Sequence, residues 1–256
     1  MTNLIRDFDG ARLPLELPPE PIVRASRDIF QMDIQRRRGA AELFRLWQGA
    51  PGNEVRVTSA DRGRRQLVLL VQEPRRTFEE RLSKRFTTEA TLRARGLRPV
   101  RETAEEYVIE RATRSSLRRY LCGMDERHLF IARFDGGTTV RDAHRLLKPA
   151  AVRDAERGHA GRVLRQGEWF FVPLGPVDRR LLEALVRERP WAVRRNESLG
   201  GNGRPHVAAE VIRDGGRVYA RGAVRHVDHR TLVLDEWRRV HRNAEVPETR
   251  GVYWID

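Results

Sequence analysis

Residues 217–242 read RVYARGAVRHVDHRTLVLDEWRRVHR. Two β-prone segments, Arg217–Val227 and Thr231–Arg242, flank a short polar interruption, and a third, His206–Arg213, precedes them. Runs rich in Val, Tyr, Thr and Leu, bounded by turn residues, read as strands. His226-Val227-Asp228-His229 falls at the turn between two of them, His226 closing one strand and His229 opening the next, which lets both imidazoles point the same way. Two neutral imidazoles and a third nitrogen or carboxylate oxygen at about 2.0–2.2 Å make a site for zinc or another divalent transition metal with one open position. His206 is the expected third ligand, with Asp228, Glu168 and His241 in reserve. Asp228 is expected to orient a ligand rather than be one, because strand parity turns it away. The competing reading has His226 and His229 hydrogen-bonded within the turn and His206 packed in the sheet.

Upstream, Arg165-Gln166-Gly167-Glu168 leads into the apolar Trp169-Phe170-Phe171, and Gly203-Arg204-Pro205-His206 opens the third β-prone segment. Together with the histidine turn, over about Val163 to Asn243, these motifs resemble a group of small bacterial and phage-borne proteins with an R-Q-G-D strand, a G-H-x-H and an H-x-x-H hairpin. The resemblance implies no function. Glu168 stands where Asp is usual there, and Arg204 replaces a histidine, which removes one potential ligand. Gly167 also has a local reading, a tight turn into a strand whose aromatic residues fill the core. Gly200-Gly201-Asn202-Gly203 lacks the Gly-Lys-Ser/Thr of a phosphate loop and reads as a flexible connection able to fold over a ligand near His206.

Val163–Leu174 is strand-like and Val177–Arg187 helical, so a β-rich domain is expected over 162–256. Residues 149–161 (PAAVRDAERGHAG) carry no hydrophobic stripe and read as a linker. Before it an α+β domain is expected over 27–148. Its elements are one or two helices in Asp28–Gln48, a hairpin of Glu54–Thr58 with Gln66–Val71, and a helix over Thr77–Arg95. Then follow a strand at Glu106–Arg111, a short helix at Ser115–Leu121, a strand at His128–Phe134, and a helix to Leu147 capped by Thr138. The four prolines of residues 10–26 give residues 1–26 the character of an extended arm outside the core. The fold class is α+β.

The chain has 256 residues and a formal net charge of +14. Of its 50 basic side chains only Lys84 and Lys148 are lysines, and both halves are basic. Such a field attracts polyanions, and arginine offers phosphate a planar fork and bases a stacking face. The leading function read from sequence is therefore binding of RNA or DNA through phosphates. Trp237, Arg238 and Arg239 on the last strand suit stacking on unpaired bases, and Arg165, Arg204 and Arg225 flank the histidines. The alternatives are a metal-dependent hydrolase built on His206, His226 and His229, and an assembly subunit whose arginines face an acidic protein partner.

The single cysteine, Cys122, excludes an internal disulfide and a multi-thiolate metal site, and with no fixed base beside it reads as a buried thiol. No segment approaches the roughly 20 apolar residues of a membrane span, and Met1–Pro21 does not resemble a secretory leader. A cytoplasmic location without membrane contact is the expectation.

Overall fold

The computed structural model describes residues 4–24, 27–36, 41–112, 114–126, 128–158, 161–200 and 205–245. Helix α1 (Leu4–Gly10) buries Leu4 and Phe8, and the chain continues into β1 (Leu15–Glu16). Ala11 and Leu13 are buried in the same cluster, which corrects the expectation of an arm outside the core. The helix ends at Gly10, before the first proline, and the extended backbone that follows can still bury alternate side chains.

The expected helices of Asp28–Gln48 are replaced by β2 (Gln31–Gln35) and β3 (Leu43–Trp47), paired antiparallel. Phe30 and Met32, and Phe44 and Leu46, are buried at a spacing of two, the period of a strand. Asp33 is almost fully buried because its cross-strand neighbour Arg45 donates Nε–H to it at 2.9 Å. β1 pairs parallel with β3.

β4 (Glu54–Asp61) and β5 (Gln66–Glu73) form the expected hairpin. The expected helix over Thr77–Arg95 divides into β6 (Thr77–Ser83) and a short α2 (Glu89–Ala94) capped by Thr88. With β7 (Pro99–Glu102) and β8 (Glu106–Ala112), β6 makes a small sheet, and Leu92, Tyr107 and Ile109 form its own cluster. β9 (Ser116–Asp125) overturns the short helix expected at Ser115–Leu121, and β10 (His128–Phe134) is as expected. The main sheet of this half runs β10-β9-β5-β4. Leu67, Leu69, Tyr120 and Cys122 face the layer containing α1, β2 and β3. Val68 and Leu121 face α3 (Val140–Leu147), whose cap is Thr139 rather than Thr138. A central strand covered on both faces needs no polar alternation, hence the continuous apolar run of β5.

Residues 149–161 contain α4 (Ala150–Arg157), whose fully buried Val152 packs on Phe170 and Val172. The coreless stretch expected there is thus in large part a docked helix, His159 lying outside the described residues. The second half is one antiparallel sheet, with strands in the order β11-β12-β16-β15-β14-β13. Its elements are β11 (Leu164–Gln166), β12 (Trp169–Pro173), α5 (Pro176–Glu188), β13 (Arg194–Ser198), β14 (Val207–Asp214), β15 (Arg217–His226) and β16 (His229–Arg242). The mixed α+β class stands, but the expected contrast between the halves does not, because strands dominate the first half, with β1–β10, as much as the second. No helix among the described residues is long and apolar enough to cross a membrane.

Candidate metal centre

The pairing of β15 with β16 sets His226 opposite His229. β14 lies on the other side of β15, with Val207 opposite Arg225, which brings His206, one residue before β14, alongside His226. The His206 and His226 rings stack with centroids 4.2 Å apart, and His229 lies 5.4 and 5.0 Å from them. One nitrogen from each of the three falls within 4.8 Å of the other two, close enough to hold a metal ion. The convergence expected from sequence is therefore present, at one end of three interior strands, where the sheet register, not sequence proximity, places the residues together.

His206 is 2% exposed and its Nε2 has no hydrogen-bond partner. Burial, reinforced by the neighbouring His226 and His229, pushes its pKa down to about 3. Burial also lowers the pKa of His229. Both are neutral near pH 7, the state in which an imidazole nitrogen has a lone pair to offer a metal.

The turn between β11 and β12 closes the site from one side. Gly167 has φ +56°, and a Cβ there would lie 3.0 Å from Nε2 of His229 and 3.1 Å from Nε2 of His206. The missing side chain leaves room in front of the two nitrogens. Gln166 holds this turn in place, its Nε2 donating to the carbonyls of Arg230 at 2.5 Å and Val224 at 3.4 Å. Arg165 donates Nε–H to the Gly167 carbonyl at 2.7 Å. Trp169, Phe170 and Phe171 are buried, so the local reading of this motif holds beside the positional one.

The reserve ligands divide. Glu168 lies beside the site, Oε1 3.9 Å from Nδ1 of His206. Asp228 donates its backbone N–H to Nδ1 of His226 at 3.2 Å, while its Oδ1 lies 3.5 Å from Nε2 of His128. His241 sits in β16 opposite Phe170 and is not in the group. Sequence reading missed two contributors, the space left by Gly167 and the carboxylate of Glu126, 4.0 Å from Nδ1 of His229. The R-Q-G-E motif was the available signal for the first; Glu126 had none, being remote along the chain.

Among the expected nucleic-acid contacts, Arg165 and Arg225 are exposed and Arg239 is half-buried. Trp237 is 6% exposed, packed with Leu174, Leu182, Ile212 and Tyr219 beneath α5 and covered by Arg221, which corrects its expected role as a stacking platform. Arg238 donates to the carbonyls of Arg162 and Phe171. Arg204 lies outside the described residues, as do Gly201–Gly203. Cys122 is buried, burial pushes its thiol pKa up, and its sulfur lies 3.8 Å from that of Met32, the surroundings of an inert thiol.

No protein-family model, curated protein or solved structure matches this chain.

Proposed function

We propose that this protein is a metal-dependent hydrolase, with His206, His226 and His229 holding one divalent transition metal, zinc foremost. The observation that carries the reading is the meeting of three imidazoles at a place where His206 is buried, neutral and unpartnered at Nε2. A buried polar atom left without a partner is unfavourable unless something else meets it. Three neutral nitrogens are the ligand set of a catalytic-type zinc, which acts as a Lewis acid and lowers the pKa of bound water. The space before Gly167 suits the open position. His226 adds a constraint. A metal on its Nε2 requires the ring proton on Nδ1, so the contact from the Asp228 amide must open on binding.

The test is metal content and titration. Protein stripped with chelator should take up about one zinc or cobalt ion per chain, and His206→Ala and His229→Ala should abolish tight uptake. Substoichiometric, weak binding unaffected by either substitution overturns the reading.

The charge of +14 supports a second reading, a nucleic-acid-binding protein that contacts phosphates through exposed arginines such as Arg165 and Arg225. Affinity for RNA or DNA should then fall by orders of magnitude between about 50 and 200 mM salt. Recovery of an acidic protein partner without nucleic acid would favour an assembly role instead.

A further inference from the structure

We propose that Glu126 positions the imidazole of His229 for metal, so that the centre is built by both halves of the chain; this rests on the metal reading above. Glu126 occupies the turn between β9 and β10, in the first half. Its carboxylate accepts the backbone N–H of Arg230 at 3.1 and 3.3 Å, which anchors it at the start of β16. From that anchor Oε1 lies 4.0 Å from Nδ1 of His229. This lies just beyond hydrogen-bond reach, and a closure of about 1 Å makes it a hydrogen bond. Nε2 of the same ring faces the space before Gly167. The two nitrogens are thus divided, one toward the other histidines and one toward the carboxylate.

That division has a chemical meaning. An imidazole bound to metal through Nε2 carries its proton on Nδ1, and a carboxylate receiving that proton fixes the tautomer, holds the ring angle and makes the ligand more basic. The backbone supplies an independent observation. Glu126 has φ +51°, a left-handed conformation in which a residue with a Cβ is disfavoured and Gly or Asn is usual. A glutamate is a poor choice for the turn alone. It supplies a carboxylate aimed across the boundary between the halves, and strained backbone of this kind clusters at functional sites. A second tie lies beside it. His128, the first residue of β10, has Nε2 3.5 Å from Oδ1 of Asp228 and Nδ1 2.9 Å from Oε1 of Glu42. The β9–β10 turn and the β15–β16 turn therefore meet at two points, Glu126 with Arg230 and His128 with Asp228.

The experiment compares full-length wild type with Glu126→Gly, Glu126→Gln and Glu126→Asp. Zinc affinity is measured by competition with a chromophoric chelator, coordination by the visible bands of the cobalt form, and folding by the thermal midpoint of the metal-free protein. Glu126→Gly relieves the left-handed backbone, so its midpoint is expected to hold while zinc affinity falls about 10–100-fold and the cobalt bands shift. Glu126→Gln, nearly the same size, should show an intermediate loss, and Glu126→Asp a partial rescue. Wild-type affinity in Glu126→Gly overturns the inference and leaves the metal reading intact. Parallel losses of affinity and midpoint in all three variants also overturn it, by giving Glu126 a merely structural role. Failure of the wild type to bind zinc or cobalt overturns the metal reading itself.

Discussion

Gln166 donates its side-chain N–H to the carbonyl of Arg230 at 2.5 Å, so the turn that carries Gly167 is tied to the strand that opens with His229. The space before the histidine nitrogens is therefore held by a specific bond and cannot widen freely. Gly167→Ala places a Cβ 3.0–3.1 Å from two ring nitrogens and forces a side chain into φ +56°. The expected outcome is a loss of about 1–2 kcal/mol in stability, from the backbone conformation, together with weakened metal uptake. Urea unfolding and cobalt titration check the two effects separately; a variant that matches wild type in both would remove the constraint argued for Gly167.

The depressed pKa of His206 makes a pH prediction for the metal-free protein. Unfolded, the imidazole titrates near its ordinary value of about 6.5; folded, it titrates at about 3. Between these values the unfolded chain binds the proton and the folded chain does not. Stability is thus fully present above about pH 6.5 and falls as the pH is lowered, by up to about 1.4 kcal/mol per pH unit from this residue. His206→Gln should flatten the difference in unfolding free energy measured from pH 6.5 down to 4. Parallel wild-type and variant curves would contradict it.

Glu73 accepts the backbone N–H of Phe30 at 2.7 Å and the Ser116 hydroxyl at 2.9 Å, and pairs with the almost fully buried Arg118. Removing the carboxylate takes an ion-pair partner from a desolvated guanidinium and the acceptor from the Phe30 amide and the Ser116 hydroxyl. Glu73→Ala is expected to cost about 3–5 kcal/mol in urea unfolding. A loss below 1 kcal/mol would mean that water replaces the carboxylate.

Val152 on α4 is fully buried against Phe170 and Val172. Limited proteolysis should leave Ala150–Arg157 uncut while the helix is docked, and Val152→Ala, at a cost of about 1–3 kcal/mol, should make it the earliest site of cleavage. Early cleavage there in wild type would show that the helix opens readily.

Elements with a single decisive signal were legible: the hairpin at Glu54–Val71, the strand from His128 to Phe134, α5, and the three long strands with their histidine turn. The misread elements share a physical cause. In Asp28–Gln48 the apolar residues fit both a period of two and a period near four, and the partner that lets Asp33 be buried, Arg45, is supplied only by the sheet. In Ser115–Leu121 the paired Arg118-Arg119 hid a central strand. β13 (Arg194–Ser198) has no apolar alternation and reads as polar loop, yet it pairs with β14 at the sheet edge. The histidine triad was legible because its members carry distinctive chemistry; Glu126 was not, since a carboxylate on a turn is common and its role depends on a contact across the fold.

The small sheet of β6, β7 and β8 leaves and rejoins the main fold in a particular way. β5 and β9 are antiparallel neighbours, with Glu73 directly opposite Ser116. Everything between them, residues 74–115, is thus an excursion whose two ends are already adjacent. It has its own cluster in Leu92, Tyr107 and Ile109. In topological language it is a cassette inserted into a hairpin. A tight two-residue turn spliced between Glu73 and Ser116 would close that hairpin without breaking any pair of the central ladder, and the histidine sheet would be spared as well.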